Sequence, residues 1–192
     1  MDPYVYPETS ILANLWDIKD AEQLSVAEAI ATTRRIADLE RSPMNGRFDI
    51  GHLRAIHRHI FQDVYAWAGE LRTVNIARPG QFDFAFVERI ATSLNDLFSD
   101  AVFSKLSTEP GQNRATFTSS AARYLGELNA IHPFRDGNGR AQREFIRQLA
   151  LHNGYVLDWS RISRGQMHKA SHRSFERGDN TLFEQVLQSA LR

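Results

Sequence analysis

The sequence predicts an all-α fold, a bundle of helices interrupted by a single small β-hairpin. Apolar residues recur three and four positions apart through most of the 192 residues, which is the spacing of amphipathic helices. Glycine, proline or asparagine follows most of these segments and predicts where each helix ends. Only residues 73–86 combine β-like runs with turn residues. The length suits one domain with a substantial core, so we predict a single domain over residues 1–192.

The first third of the chain is predicted to hold an extended arm and two long helices. Residues 1–7 contain two prolines and two tyrosines and are typical of an arm, whereas residues 9–16 are typical of a short helical turn. Residues 21–41 carry one apolar stripe and precede a serine–proline pair, which predicts a helix and its end. A second helix is predicted over residues 50–68. Its apolar face consists of Leu53, Ile56, Ile60, Phe61, Val64 and Trp67.

The hairpin and the remaining helices follow. Residues 73–76 and 82–86 are β-like and flank the turn residues Arg78-Pro79-Gly80-Gln81, so they predict a hairpin. The alternative interpretation is a loop that packs one face against the core. Further helices are predicted at about residues 87–103, 117–131, 138–153, 163–175 and 180–191.

Composition and charge exclude several functional classes. Lysine plus arginine equal aspartate plus glutamate at 23 each, so no bulk field attracts nucleic acid or an anionic membrane. The absence of cysteine excludes disulfides, thiolate catalysis and cysteine-type zinc sites. No apolar run is long enough to span a bilayer, and no secretory signal opens the sequence. We therefore predict a cytoplasmic protein with neither a membrane nor a direct nucleic-acid partner.

One short segment concentrates the residues suited to phosphate chemistry. It runs His132-Pro133-Phe134-Arg135-Asp136-Gly137-Asn138-Gly139-Arg140, with Arg143 just beyond. The helix before it delivers His132 at its C-terminal end, because Pro133 prevents that helix from continuing. The next helix begins near Asn138, and its free amides and positive dipole end form an anion site. Gly137 and Gly139 permit backbone turns closed to other residues and leave room for a ligand.

Three arginines strengthen the prediction of a phosphate site. Arg140, Arg143 and Arg147 are spaced three and four apart, so they share one helix face. Cations in a first helical turn oppose the helix dipole, which costs about 0.3–1 kcal/mol each at exposed sites. A polyanion such as a triphosphate relieves that conflict. The alternative interpretation is a pair between Arg140 and Glu144 on a solvated basic face.

Two residues of the segment are candidates for the chemistry itself. Asp136 is a hard oxygen ligand, and Mg2+ typically takes one or two carboxylates together with substrate phosphates. Its alternative role is a helix N-cap, a position that aspartate favours. His132 can accept a proton near neutral pH, which makes it the candidate general base for an incoming hydroxyl. Its alternative role is that of a histidine satisfied within the core.

The other histidines do not indicate a metal centre. His57 and His59 lie two residues apart, so they face different sides of a helix. His168 and His172 lie four apart, but they have no catalytic glutamate between them in a zinc-protease pattern and no evident third ligand. We interpret all four as surface or supporting residues.

The segment resembles the signature of the Fic-domain proteins, His-x-Phe-x-Asp/Glu-Gly-Asn-Gly-Arg-x-x-Arg. Its positions are filled by His132, Phe134, Asp136, Gly137, Asn138, Gly139, Arg140 and Arg143. The resemblance covers most of the chain and is strongest from about residue 53 to residue 159. It implies a Fic fold with an N-terminal arm and helix over residues 1–45, a core over about 50–160, and C-terminal helices over 161–192. The opening Asp-Pro-Tyr also resembles that of bacterial Fic toxins inhibited by a separate small protein.

The resemblance implies transfer of AMP from ATP to a Ser, Thr or Tyr hydroxyl of a target protein. By that analogy His132 deprotonates the hydroxyl, Asp136 holds Mg2+, and Arg143 neutralises the distal phosphates. The residues implied in binding ATP and its phosphates are Asp136, Gly137, Asn138, Gly139, Arg140 and Arg143. The hydroxyl attacks the α-phosphate and pyrophosphate leaves, a reaction that depends on positioning and charge stabilisation.

The resemblance also gives the predicted hairpin a function. Fic proteins carry such a flap over the active site, where it pairs with the main chain of the target segment and helps to cover the nucleotide. The residues implied in target docking are Val74, Asn75, Ile76, Ala77 and Arg78. Asp83 and Phe84 align with the end of the flap that contacts the nucleotide. Many relatives have a basic residue where this chain has Asp83.

One regulatory motif of many Fic proteins is missing from this sequence. Those proteins carry a helix with Ser/Thr-x-x-x-Glu-Gly/Asn, whose glutamate pairs with the second signature arginine and blocks the γ-phosphate. No glutamate here has Ser or Thr four residues before it. We therefore expect a small antitoxin to inhibit the chain in trans. The chain would then be the toxin of a pair, or the catalytic module of an effector delivered into another cell. Type II topoisomerase subunits are the expected first targets, because similar toxins modify them.

Two other functions stay open at this point. A catalytically silent nucleotide-binding Fic module would be expected to lose the histidine or an arginine, and neither is lost. A Fic enzyme that transfers a different phosphate-containing group would be expected to alter the loop, whereas Gly137 and Gly139 are intact. We therefore favour AMP transfer.

Overall fold

The computed structural model describes residues 2–77 and 84–192, and the regular elements of these two ranges are helical. The helices are α1 Ala21–Arg41, α2 Ile50–Phe61, α3 Val87–Ser99, α4 Ala101–Thr108, α5 Arg114–Ile131, α6 Asn138–His152, α7 Arg164–Arg177 and α8 Thr181–Ala190. A 3-10 turn, Trp159–Arg161, lies between α6 and α7. The predicted all-α fold is confirmed. None of the described helices combines the length and the apolar character that a membrane crossing requires.

Helix α5 lies at the centre of the bundle and packs against α3, α4, α6, α7 and α8. Its inward side chains Phe117, Tyr124 and Leu128 are fully buried. Helix α6 also packs against α2, which in turn packs against α1. The loop that joins α5 to α6 is therefore supported by core helices on both sides, which restricts its conformation.

The N-terminal third differs in part from the prediction. The helix over residues 21–41 is confirmed, and Asp20 caps it by accepting from the Gln23 amide at 2.8 Å. Helix α2 ends at Phe61 rather than near residue 68, and the chain continues in turns to Gly69, which has a φ of +86°. The helical turn predicted at residues 9–16 is wrong, because Val5 and Leu12 instead form an antiparallel bridge.

The single helix predicted over residues 87–103 is divided at Asp100. The backbone of Asp100 is extended, with φ −58° and ψ 133°. The Asp100 carboxylate accepts from the amides of Val102 at 3.0 Å and Phe103 at 3.2 Å, and from the Tyr124 hydroxyl at 2.6 Å. This capping starts α4 as a separate helix, because the side chain satisfies amides that a helix start leaves without a partner.

The last two helices match the predicted ranges within two residues at each end. Ser163 and Gln166 form a reciprocal capping box that begins α7. Gly178, with a φ of +63°, ends it. Both helices pack against α5, so α7 lies beside the chain segment that carries the signature residues.

The predicted β-hairpin is not seen among the described residues. Residues 73 and 74 form a bend, Ala77 is a bridge position, and the Phe84 amide donates to the Ile76 carbonyl at 3.3 Å. Residues 78–83, which include the predicted contacts of Arg78 and Asp83, lie outside the described residues. We refer to residues 73–77 and 84–86 as the flap stems.

Candidate active site

His132 ends α5 in a conformation that is unusual for a residue with a side chain. Its φ of 49° and ψ of 62° lie in the left-handed region, while its amide still donates to the Leu128 carbonyl at 3.0 Å. The imidazole stacks on the ring of Phe84, with centroids 3.7 Å apart. Its Nδ1 lies 3.3 Å from the Asn129 carbonyl. A proton donated from Nδ1 to that carbonyl leaves the lone pair on Nε2, as a general base requires.

The side chain of Asn138 closes the loop after His132. Its Oδ1 accepts from the Phe134 amide at 2.9 Å, and its Nδ2 donates to the Phe134 carbonyl at 2.8 Å. Asn138 is only 2% exposed. Its side chain, expected by resemblance to cradle phosphates, is thus engaged in shaping the loop. The backbone amides at the start of α6 can also meet a phosphate here.

His57 supports the loop, which is one of the two roles that the sequence analysis left open for it, but its partners were not predicted. Its Nδ1 accepts from the Gly69 amide at 2.9 Å, so its Nε2 can donate to the Asp136 carbonyl at 3.0 Å. The ring stacks on Phe134, with centroids 3.9 Å apart. Burial lowers the pKa of His57 to about 4. The ring is therefore neutral at physiological pH and keeps one donor and one acceptor for the two backbone groups.

Gly137 occupies a position where a side chain does not fit. Its φ is +77°, and a Cβ built on it would lie 2.2 Å from the ring of Phe61. At Gly139 a Cβ would lie 3.3 Å from the guanidinium of Arg143. The two glycines thus allow the loop to pass close to α2 and leave the second arginine its space.

Asp136 lies in the loop with its side chain about half exposed (47%). One carboxylate oxygen accepts from the Gly137 amide and lies 3.7 Å from the guanidinium of Arg140. Withdrawal from water and the nearby carboxylate of Glu28 raise the pKa of Asp136. Among the described residues no group of three acidic or histidine side chains could hold a metal ion. A single carboxylate still suits Mg2+ that arrives with phosphate oxygens.

Arg140 is held by α1, which the sequence analysis did not predict. Its guanidinium donates to the Glu28 carboxylate at 2.7 Å and to the Thr32 hydroxyl at 3.2 Å, and lies 4.5 Å from the centroid of the Phe61 ring. The alternative pair with Glu144 does not form, because Glu144 binds Arg147 instead. The Tyr65 hydroxyl also donates to Glu28.

Arg143 differs from its neighbours because no described carboxylate forms an ion pair with it. Burial and the positive charge of Arg140 lower its pKa. Its carbonyl accepts from the Trp159 indole at 3.0 Å, which fixes the backbone at this turn of α6. A partly buried cation in this state is suited to bind an anion.

A cavity of about 440 Å³ lies between α5, α6 and α7 and ends at these residues. Its lining includes His132, Gly139 and Arg143 at one side, and Trp159, Ile162, Ser163, Met167, His168 and Ser171 at the other. The volume is within the range of small-molecule and cofactor sites. The sequence analysis assigned no function to the wall formed by residues 159–171. The only signal there was a set of isolated apolar residues in a polar stretch.

The flap stems reach the same region. Phe84 is buried and stacks on the imidazole of His132, whereas the nucleotide contact that the resemblance implies for Phe84 is not tested by this packing. The Asn75 side chain accepts from the Val87 amide at 2.9 Å at the start of α3. The Val74 carbonyl accepts from Arg72 at 2.8 Å. The predicted docking function of residues 74–78 is not tested by these contacts.

An imidazole at the end of α5, a helix start suited to anions and a cavity of small-molecule size in an all-α bundle are the features expected of a helical nucleotide-binding enzyme. The chain belongs to the Fic/DOC family, whose model matches residues 47–150. The resemblance of the signature segment to Fic-domain proteins is thereby confirmed.

Several known proteins are similar to this chain over almost its whole length. Protein adenylyltransferase VbhT of Bartonella schoenbuchensis is 38% identical over 193 residues, covering 99% of this chain and 39% of that protein. The probable protein adenylyltransferase Fic of Escherichia coli is 35% identical, covering 99% of this chain and 92% of that protein. This chain therefore spans well under half of the first relative and nearly all of the second.

Solved structures share the fold. The BepC protein of Bartonella tribocorum, with bound AMPPNP, has a TM-score of 0.91 and 25% identity, covering 98% of this chain and 96% of that chain. The Fic domain of a Bartonella quintana effector, with bound ADP, has a TM-score of 0.92 and 28% identity, covering 98% and 94%. Both are described as VirB-translocated Bartonella effector proteins.

Proposed function

We propose that this chain is a protein adenylyltransferase, which transfers AMP from ATP to a Ser, Thr or Tyr hydroxyl of a target protein. The observation that carries the proposal is the cavity lined by both His132 and Arg143. It brings a proton acceptor and a cation without a described ion pair to one nucleotide-sized space. The names of the relatives and the nucleotides bound in two structural neighbours support the same activity.

The residues suggest how the chain positions ATP. The cavity receives the nucleoside, and the phosphates extend to the first amides of α6. Arg143 meets the distal phosphates, while Arg140, held by Glu28, adds positive potential at the loop. Asp136 would hold Mg2+ through its carboxylate, and the ion when bound would neutralise charge on the phosphate oxygens.

The transfer step uses His132 as the base. Its Nε2 takes the proton of the target hydroxyl, and the oxygen attacks the α-phosphorus. The bond between the α-phosphorus and the oxygen that bridges it to the β-phosphorus breaks, and pyrophosphate leaves with the electron pair. The chain contributes chiefly by positioning the groups and stabilising charge.

The target and the regulation are finer parts of the proposal. An extended target segment would pair with the main chain of the flap around residues 74–78. Type II topoisomerase subunits are the first targets to examine. A small antitoxin would inhibit by bringing a glutamate to Arg143, a cation for which the described residues supply no ion pair. The protein would act in the cytoplasm or, like the translocated relatives, after delivery into another cell.

Labelled ATP tests the proposal against its two alternatives. We expect label from the α-phosphate to appear on a protein band when the chain is incubated with bacterial lysate. Label from the γ-phosphate alone would instead support phosphate transfer, and no label from either would support a silent module. His132→Ala is expected to abolish transfer and to retain ATP binding. Survival of both would overturn the assignment of the base.

A further inference from the structure

Arg72 is a buried arginine at the base of the flap stems. It is only 2% exposed, and no carboxylate of the described residues pairs with it. Burial lowers its pKa, whereas buried arginines usually have an acidic partner. Its side-chain hydrogen bonds go instead to main-chain carbonyls. Burying this arginine costs free energy, and its side chain binds only backbone groups. We infer that the site requires the guanidinium's geometry, because it offers five donors in a rigid plane.

Two of these hydrogen bonds fix the end of α5. The Arg72 Nε donates to the His132 carbonyl at 2.8 Å, and its Nη2 lies 3.3 Å from the Ile131 carbonyl. The Arg72 amide donates to the Pro133 carbonyl at 2.9 Å. The last carbonyls of a helix have no partner within it, so Arg72 acts as their cap. It thereby holds His132 in its left-handed conformation.

The same guanidinium holds both flap stems. Its Nη1 donates to the Val74 carbonyl at 2.8 Å, and its Nη2 donates to the Ala85 carbonyl. The Ala85 amide in turn donates at 3.2 Å to the carbonyl of Ala130, which is the next-to-last residue of α5. Phe84, next to Ala85, stacks on the imidazole of His132. One side chain thus connects the base, the ring that packs on it and both stems.

We propose that Arg72 is a positioning residue that sets the placement of the His132 imidazole relative to the flap stems. The inference rests on the proposed function for the roles of base and flap. Apart from His132, none of the residues that line the nucleotide cavity is bound by Arg72. Loss of Arg72 should therefore impair transfer to a protein target much more than it impairs nucleotide binding.

Arg72→Lys is the informative variant, because it keeps the charge and loses the planar fork. Arg114→Lys is a matched control, since Arg114 also donates to main-chain carbonyls, those of Gln188 and Leu191, and does not line the cavity. In Arg72→Lys we expect AMP transfer to lysate proteins to fall about a hundredfold, the cost of a misplacement of about 1 Å. We expect its affinity for AMPPNP, measured by calorimetry, to stay as in the original chain. Arg114→Lys should change neither.

A second readout does not depend on activity. In nuclear magnetic resonance spectra of 15N-labelled protein, Arg72→Lys should shift the ring signals of His132 and the amide signals of Val74 and Ala85. The signals of α8 should not move. Unchanged signals at His132 would overturn the inference even if no protein is ever labelled. If the original chain labels no protein, the proposed function is overturned. If Arg72→Lys still shifts the His132 signals, Arg72 remains the positioning residue.

Two further outcomes would also contradict the inference. If transfer and AMPPNP affinity fall together, Arg72 supports the site as a whole rather than the placement of one group. If Arg72→Lys and Arg72→Gln both melt below the assay temperature, Arg72 is a general structural residue. Partial recovery of transfer in Arg72→Lys relative to Arg72→Gln is expected, because an ammonium can still reach one of the carbonyls.

Discussion

At the scale of single residues, Gly137 has the most restrictive surroundings. Gly137→Ala would place a Cβ 2.2 Å from Phe61 at a φ of +77°. We expect it to destabilise the protein by about 2–6 kcal/mol, because backbone strain and overpacking each cost about 1–3 kcal/mol. The measurement is the free energy of unfolding by denaturant titration. Gly154→Ala is the control, because Gly154 has a φ of +85° but nothing within 4 Å of its Cβ. Equal losses in the two variants would show that the contact with Phe61 is irrelevant.

Asp136 gives a prediction about pH. Its pKa is raised above the ordinary 3.8, so the folded protein holds this proton to a higher pH than the unfolded chain does. The protein without nucleotide therefore loses stability as pH rises from about the unfolded pKa through the folded pKa. Asp136→Asn removes this loss, so its stability relative to the original chain should increase over that window and then level off. Denaturant titrations at several pH values measure the effect. A constant difference at all pH values would contradict the raised pKa.

At this scale the sequence predicts the residues of the signature segment, but it does not predict which backbone groups their neighbours support. The signature from His132 to Arg143 could be interpreted from its residue types alone. Asn138 was assigned to phosphate, but its side chain binds the Phe134 backbone. Nothing local distinguishes these roles, because the same amide groups suit both. The partners of His57 were likewise beyond local reasoning, since Gly69 and Asp136 lie 12 and 79 residues away.

At the scale of elements, the contact between α1 and the loop is the most informative. Glu28 accepts from Arg140 and from the Tyr65 hydroxyl, and its side chain is 15% exposed. Glu28→Ala leaves both donors without their partner, and hydrogen bonds to charged groups contribute about 1.5–3 kcal/mol each before allowance for partial exposure. We therefore expect a loss of about 2 kcal/mol in the free energy of unfolding, measured in denaturant.

The control for Glu28 lies on the same helix. Glu22 is exposed in the first turn of α1, so Glu22→Ala should cost only the dipole contribution of about 0.3–1 kcal/mol. A loss in Glu28→Ala no larger than in Glu22→Ala would mean that the pair with Arg140 is compensated by water. A larger loss that disappears in the background of Arg140→Ala would identify the pair itself as the source.

The boundaries of elements show where local patterns fail. Apolar periodicity continues through residue 103, yet Asp100 divides the segment because its carboxylate is bound by Tyr124 from α5. Periodicity also continues to Trp67, yet α2 ends at Phe61, and Trp67 stacks on Tyr65 outside the helix. Contacts distant in sequence accompany both breaks, because Asp100 binds Tyr124 and the Val64 carbonyl just beyond α2 accepts from the Leu15 amide at 2.8 Å. Local caps begin α1 and α7, and the ends of α1, α7 and α8 were predicted closely.

At the scale of the whole molecule, the site combines the family core with elements outside it. The family model matches residues 47–150, whereas Glu28 and Thr32 belong to α1 and Met167 and His168 to α7. The sequence analysis predicted the signature segment as the site, but it did not predict the contributions of α1 and α7. A cavity wall has no motif of its own, because its function depends on shape and on what faces it. The composition of residues 159–171 therefore suggested only helix and turn.

Nucleotides that bind in the cavity should raise the stability of the whole protein, because a ligand that binds only the folded state stabilises it by mass action. At a hundred times its dissociation constant a nucleotide adds about 2.7 kcal/mol. Arg143 lines the cavity and is the signature arginine without a described ion pair, so it should distinguish nucleotides by their distal phosphates. In the original chain we expect thermal shifts that increase from AMP to ADP to ATP at equal concentrations.

Arg143→Ala should remove that order and leave the AMP shift unchanged, because the nucleoside contacts remain. Without nucleotide the variant should be as stable as the original chain or more so, since burial lowers the pKa of Arg143 and its charge has no described partner. Arg164→Ala is the control, because Arg164 lines the same cavity from an exposed position and should leave the order intact. If Arg143→Ala keeps the order of the three shifts, the distal phosphates bind elsewhere. A lower stability without nucleotide would instead indicate that Arg143 supports the fold, because an arginine held for its ligand costs stability until that ligand binds.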